Sequence, residues 1–274
     1  MISGESLNAL KNYLKVIQKY FPFKANGKAF INELLNHVEN SGYQISGKDL
    51  SKRISELEKE LNPVYSSSLN WIGCRGSSPN YRGFTCSLWV IFHTLTVSAA
   101  DKRTANALEV LNAMHGYVKY FFGCADCSEH FQAMALEKKL TSVAENDGAI
   151  LWLWVAHNEV NNRLAGDLTE DPQFPKKQFP VSKDCFKCRD SLGNWDLEQV
   201  LAYLKFMYGD ENINLMGTII HEPIASSHVT SSYMAIVVVL YIYCVIVTIF
   251  VLRFFFNKKG YKRKTYAHDT YGKV

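Results

Sequence analysis

Cys124 and Cys127 are separated by two residues, and His130 follows three positions later, in the stretch FFGCADCSEHF (121–131). That spacing serves half of a zinc site, a redox-active disulfide or a pair of inert thiols. The chain has 7 cysteines. Cys185 and Cys188 form a second C-x-x-C, Cys74 and Cys86 a wider pair, and Cys244 falls in an apolar run, where it is inert or at most an acylation site. Two C-x-x-C pairs plus a wider pair, on a segment read as lying outside the cytosol, point to three disulfides. Zinc is the rival. The two C-x-x-C pairs stand 58 positions apart, from 127 to 185, against a usual gap of about 15–20 between zinc-ligand pairs. Cys124 also follows Gly123, between two helical patterns. A cysteine at a helix N-terminus faces the positive end of the dipole, which stabilises thiolate and favours exchange. Spacing alone leaves the choice open.

The neighbouring side chains bear on it. Trp154, His157, Asn158 and Asn161 recur at i, i+3, i+4 and i+7 within LWLWVAHNEVN (151–161), one face of a helix. The plain reading is a polar face with one exposed tryptophan. Another helical pattern repeats the combination, with Cys86, Trp89 and His93 on one face, and Cys127 and His130 share a third. Aromatic, imidazole and amide groups converging beside a C-x-x-C describe a flavin site better than a metal site.

Helices must position these groups. Leu7, Leu10, Leu14, Ile17 and Phe21 alternate steps of three and four; Ile31, Leu34, Leu35 and Val38, then Leu50, Ile54, Leu57 and Leu61, repeat the stripe. Pro22 with Asn26-Gly27, Ser41-Gly42 and Asn62-Pro63 punctuate them. This cysteine-free region, 1–62, is read as scaffold. A loop at 66–83 carries Trp71 and Cys74, and helices are expected at about 86–100, 104–122, 128–139, 147–165 and 196–208. Prolines break the segment 170–188. Strand signals are almost absent, so the fold class is all-α, two helical layers over one core.

Charge separates the C-terminus from the rest. The net charge is +4, and 257–274 carries Lys258, Lys259, Lys262, Arg263, Lys264 and Lys273 against Asp269. The remainder is near neutral, giving no ground for nucleic-acid binding. The run 234–252 holds no charge before Arg253 and matches the ~20 residues of a transmembrane helix. The positive-inside rule keeps the tail cytoplasmic and places 1–232 on the lumenal or extracellular side. The N-terminus lacks the apolar core of a signal peptide. The chain is therefore read as a fragment or alternative product of a longer secretory precursor; a tail-anchored cytosolic orientation is the alternative.

Over 71–188 the sequence closely resembles the C-terminal half of the quiescin sulfhydryl oxidases, which ends in an Erv/ALR-type domain. The motifs are WIGCRGSSPNYRGFTCSLWVIFHTLTV, YVKYFFGCADCSEHF, LWLWVAHNEVNNRLAG and EDPQFPKKQF. The resemblance implies an Erv/ALR helical bundle at 63–208 packed on a degenerate copy at 1–62. A linker (209–232), a membrane helix (233–256) and a basic tail (257–274) would follow. It implies FAD surrounded by Arg82, Trp89, His93, Asp126, His130, Trp154, His157, Asn158, Val160, Asn161, Lys176 and Phe179. Phe179 stands where the family commonly has tryptophan. Cys124 would exchange with the substrate dithiol, Cys127 would lie against the isoalloxazine, Cys74–Cys86 would be structural, and Cys185–Cys188 would be dispensable for the core chemistry.

The expected activity is an FAD-dependent oxidation of two thiols by O₂, giving a disulfide and hydrogen peroxide. The family's signal peptide and thioredoxin-like domains have no counterpart in these residues, so small thiols are the expected substrates and reduced proteins poor ones. A monomer is expected, in a Golgi or plasma membrane. The alternatives are a truncated isoform of low turnover, or a non-enzymatic membrane-anchored module with structural disulfides or zinc.

Overall fold

The computed structural model describes residues 1–64 and 73–213. Trp71, the linker beyond 213, the apolar run and the basic tail lie outside the described residues. Eight α-helices follow in order: α1 (Gly4–Tyr20), α2 (Ala25–Glu39), α3 (Gly47–Glu60), α4 (Gly83–Asp101), α5 (Leu108–Phe121), α6 (Ala125–Glu137), α7 (Asn146–Leu164) and α8 (Leu197–Tyr208). Short strands β1 (Ile2–Ser3) and β2 (Gln44–Ile45) pair antiparallel with Ile2 opposite Ile45. Two-residue strands are below what alternation in a sequence can signal.

The N-terminal stripes meet as expected. Leu7, Leu10, Leu14, Ile31, Leu34, Leu35, Val38 and Leu57 are buried together, with Leu50, Ile54 and Leu61 packed alongside. Truncating such a residue costs about 2–5 kcal/mol, so this cluster is ample to hold α1–α3 together. Gly116 of α5 permits close approach to α1, because a Cβ there would meet the Ala9 Cβ at 3.2 Å. The two helices also share a polar seam. Tyr20 Oη donates to Glu109 at 2.5 Å, and Lys19 Nζ reaches the same carboxylate at 2.8 Å.

α4 is apolar and long enough to cross a bilayer by length and composition. Its partners account for that apolarity, since it packs against α1, α5, α7 and α8. α5 begins at Leu108 rather than near Thr104, because the Asn106 side chain accepts the Leu108 N–H at 3.0 Å, a local turn that competes with helix. α4–α7 enclose one core containing Phe92, Leu111, Met114, Phe131 and Leu153; a second core joins α4, α7 and α8 around Ile150, Trp154 and Leu204.

Candidate active site

α6 starts immediately after Cys124, which is its N-cap. The Cys127 N–H donates to Cys124 Sγ at 3.2 Å. The two sulfurs are bonded, with Cα atoms 5.2 Å apart. Both residues are half-buried, while Gly123, Ala125 and Asp126 beside them are exposed. A sulfur at this position sits against free N–H groups and the positive helix end, conditions that favour thiolate over thiol.

Behind the disulfide, α4–α7 leave a cleft of about 230 Å³. Leu88, Trp89, Phe92, Phe122, Cys127, His130 and Val160 line it; Cys124 does not. Thus, of the two cysteines, the second contributes to the wall of the cleft and the first does not.

At the cleft, α4 and α7 interlock through rings. Trp89 stacks on His157 with centroids 4.2 Å apart and planes 2° from parallel. His157 Nδ1 lies 3.1 Å from His93 Nε2, and His93 stacks on Tyr208 of α8 at 4.7 Å. His93 is completely buried, and its Nδ1 has no hydrogen-bond partner among the described residues. Burial, then the neighbouring His157, holds the His93 pKa far below the usual imidazole range. Burial, then the Lys176 charge, lowers that of His157 to about 3. Both rings are therefore neutral near pH 7.

The His157 face of α7 also holds a strap. Trp154 Nε1 and Asn158 Nδ2 both donate to the Phe179 carbonyl, at 2.6 and 2.7 Å, and the Phe179 N–H donates to Asn158 Oδ1 at 2.7 Å. Asn161 Nδ2 donates to the Lys177 carbonyl at 3.1 Å. Lys176 is half-buried on this strap, and burial, then the charge of Arg82, lowers its pKa. Arg82 precedes α4 with φ 60°, lies over the Phe174 ring at 4.3 Å and donates to the Gly73 carbonyl at 2.9 Å. Its loop is tight, since a Cβ at Gly76 would overlap the Tyr81 carbonyl.

The predicted site residues fall into three groups. Trp89, Cys127, His130 and Val160 share the cleft, with His93 and His157 stacked at its edge. Trp154, Asn158 and Asn161 fasten the strap carrying Lys176 and Phe179. Asp126 is exposed on the first turn of α6. Leu88, Phe92, Phe122, Phe131, Met134 and Arg163 line the cleft without having been singled out. Only the FF of FFGC, next to the motif, gave a signal for any of them. Cys74–Cys86 and Cys185–Cys188 are disulfide-bonded too. Among the described residues, no three His, Cys, Asp or Glu side chains are grouped to hold a metal ion.

Comparison with known proteins places this arrangement. The model of the Erv1 / Alr family matches residues 86–180, and that of the flavin adenine dinucleotide (FAD)-dependent sulfhydryl oxidase matches 1–77. The chain is 41% identical over 224 residues to sulfhydryl oxidase 1 of Homo sapiens, covering 78% of this chain and 30% of that protein. Against sulfhydryl oxidase 1 of Cavia porcellus it is 40% identical over 229 residues, covering 78% and 36%. It spans about a third of the length of these curated relatives. The solved structure "Sulfhydryl Oxidase Fragment of Human QSOX1" is 40% identical with a TM-score of 0.71, covering 78% of this chain and 88% of that one. A helical chain with these motifs, matched across most of its length, belongs to the quiescin sulfhydryl oxidase family.

Proposed function

We propose that the chain is an FAD-dependent thiol oxidase that turns two thiols and O₂ into a disulfide and hydrogen peroxide. The observation that carries this reading is the split of one disulfide between two surroundings, with Cys127 on the cleft and Cys124 off it.

The residues present fit FAD. The cleft is a largely apolar slot walled by Trp89, Phe92 and Phe122, a lining suited to a flat ring system. The orphaned His93 Nδ1 and the neutral His157 offer polar atoms at its edge. Arg82 and Lys176, close enough to repel each other, suit a diphosphate. Trp89, His93, His130, His157 and Val160 would hold the ring end. Asn158, Asn161, Trp154 and Phe179 would set the strap, with Asp126 at the mouth. FAD, when bound, accepts the electron pair from the reduced cysteines and passes it to oxygen.

The chain's own residues carry the thiol steps. A substrate thiolate attacks Cys124 Sγ, the Sγ–Sγ bond breaks, and Cys127 leaves as a thiolate. The second substrate thiolate then attacks the substrate sulfur of that mixed disulfide, releasing the substrate disulfide and a Cys124 thiolate. The α6 N-terminus favours negative sulfur at both steps, and the Cys127 N–H stabilises the Cys124 thiolate released in the second. His93 and His157, uncharged, add no cation at the edge of the slot.

The test is direct. The purified 274-residue chain should be yellow, bleach with dithiothreitol under nitrogen, and consume oxygen while forming hydrogen peroxide in air. A folded, colourless protein, or a yellow one that leaves dithiothreitol untouched, overturns the reading.

The apolar run 234–252 and the lysine-rich tail support a single-pass anchor that keeps the oxidase part lumenal or extracellular, in a Golgi or plasma membrane. Digestion of α1–α8 by protease added to sealed cytoplasmic-side-out vesicles would refute this orientation. α1, lying on α4 and α5, supports a monomer; doubled mass in solution would refute that.

A further inference from the structure

Phe84, in the first turn of α4, is 55% exposed and joins no buried cluster. Its ring stacks on Phe122 with centroids 6.5 Å apart and planes 20° from parallel. Phe122 caps α5, lines the cleft and precedes Cys124 by two residues. The two rings therefore form a ledge running from solvent to the cleft wall that Phe122 shares with Cys127. Core packing explains the inner ring. Nothing within the described residues covers the outer one, and a large exposed aromatic beside a reactive group marks a contact surface.

The occupant must come with the thiol, because Cys124 reacts from the outer side, next to Gly123 and Ala125, which are exposed and bear no long side chains. A small dithiol is consumed without touching the ledge. A polypeptide whose cysteine reaches Cys124 brings its neighbouring side chains to this end of α6, two residues from Phe122. We infer that Phe84 determines substrate preference, selecting polypeptide thiols with an apolar or aromatic residue beside the reacting cysteine. This rests on the oxidase reading and extends it, whereas the sequence alone pointed to small thiols.

Two measurements separate the ledge from the reading. In the first, oxygen consumption is followed with dithiothreitol and with two C-x-x-C peptides, one flanked by phenylalanine and one by glycine. The native chain should prefer the phenylalanine peptide roughly five- to tenfold in kcat/KM, the worth of one aromatic contact. Phe84→Ala should erase the preference and leave dithiothreitol oxidation unchanged; Phe84→Leu should keep part of it. The second uses no oxygen. In Cys127→Ser protein, the Cys124 thiolate attacks single-cysteine peptides activated with thionitrobenzoate, forming the Cys124–peptide disulfide and releasing thionitrobenzoate. The phenylalanine-flanked peptide should react faster by a similar ratio, and Phe84→Ala should abolish the difference. Equal rates in the trapping assay, or a preference that survives Phe84→Ala, overturn the ledge while leaving the oxidase reading intact. A trapping preference without oxygen consumption by the native chain would sustain the ledge and sink the oxidase reading.

Discussion

Cys124–Cys127 and Cys185–Cys188 share a motif and nearly the same Cα separation, 5.2 and 5.4 Å. Cys124 and Cys185 are both half-buried, but the surroundings of the two disulfides differ otherwise. The first caps a 13-residue helix and is half-buried at the wall of a cleft. The second closes a single 3₁₀ turn, Phe186–Cys188, with Cys188 wholly buried against Val97, Ile150, Trp154, Val200 and Leu204. The Cys188 carbonyl accepts the N–H of Asp196, the N-cap of α8, so this disulfide anchors the start of that helix. On the proposed mechanism, the helix N-terminus and the cleft are what set the first C-x-x-C apart as an exchange centre, and the second is expected to act as a staple.

The sharpest way to break that comparison is to change one sulfur at each site. On the proposed mechanism Cys124→Ser removes the sulfur that takes the substrate, so turnover should fall about 10³-fold or more, as for a lost nucleophile. The protein should stay yellow, because Cys124 is off the cleft. Appreciable oxygen consumption by this variant, with dithiothreitol, would place substrate attack elsewhere.

At the second site the effect should appear in stability instead. Cys185→Ala with Cys188→Ala opens a four-residue loop, worth about 2 kcal/mol of unfolding free energy by chain entropy. Urea unfolding should show that loss while kcat/KM for dithiothreitol stays within about twofold. A large fall in turnover with little change in stability would mean that the second pair exchanges electrons.

Between the sites runs the strap. Asn158→Ala leaves the Phe179 N–H without its acceptor, although Trp154 still donates to the Phe179 carbonyl. One orphaned donor costs about 1–2 kcal/mol. The same variant should loosen FAD, because Lys176 rides on the strap, and equilibrium dialysis would show it. Unchanged FAD affinity would separate the strap from the cofactor.

These differences were unevenly legible in the sequence. Periodicity located all eight helices because each buries a face, and Leu7, Leu34 and Leu57 sit where their spacing put them. The redox motif was legible because Gly123 lies where two helical patterns part. The α7 face was legible only in part. Trp154, Asn158 and Asn161 share a face as expected, but local spacing cannot tell a ligand from a backbone strap 20 residues away that needs its N–H and C=O groups bound. The cleft wall of Phe92, Phe131 and Met134 was hidden for a related reason. Apolar residues read as core whether they meet one another or a ligand, and only the tertiary packing separates the two.

The smallest expected effect tests whether the two sites are energetically independent. His157, with its folded pKa lowered to about 3, binds fewer protons in the native than in the unfolded state at mildly acid pH. Its contribution is therefore present above an unfolded pKa of about 6.5 and is lost as pH falls toward 3. His93, lowered as well, acts in the same direction. Between pH 7.5 and 5.5 the His157 part should amount to about 1 kcal/mol, read from urea midpoints at the two pH values. His157→Gln should flatten that difference. The Cys185→Ala/Cys188→Ala protein should keep it, because the charged group acting on His157 is Lys176, not the second disulfide. If the pH dependence vanishes in the double cysteine variant instead, the chain of rings from Trp89 through His157 and His93 to Tyr208 couples the staple to the cleft. The two C-x-x-C sites would then act as one cooperative unit rather than as an exchange centre and a separate brace.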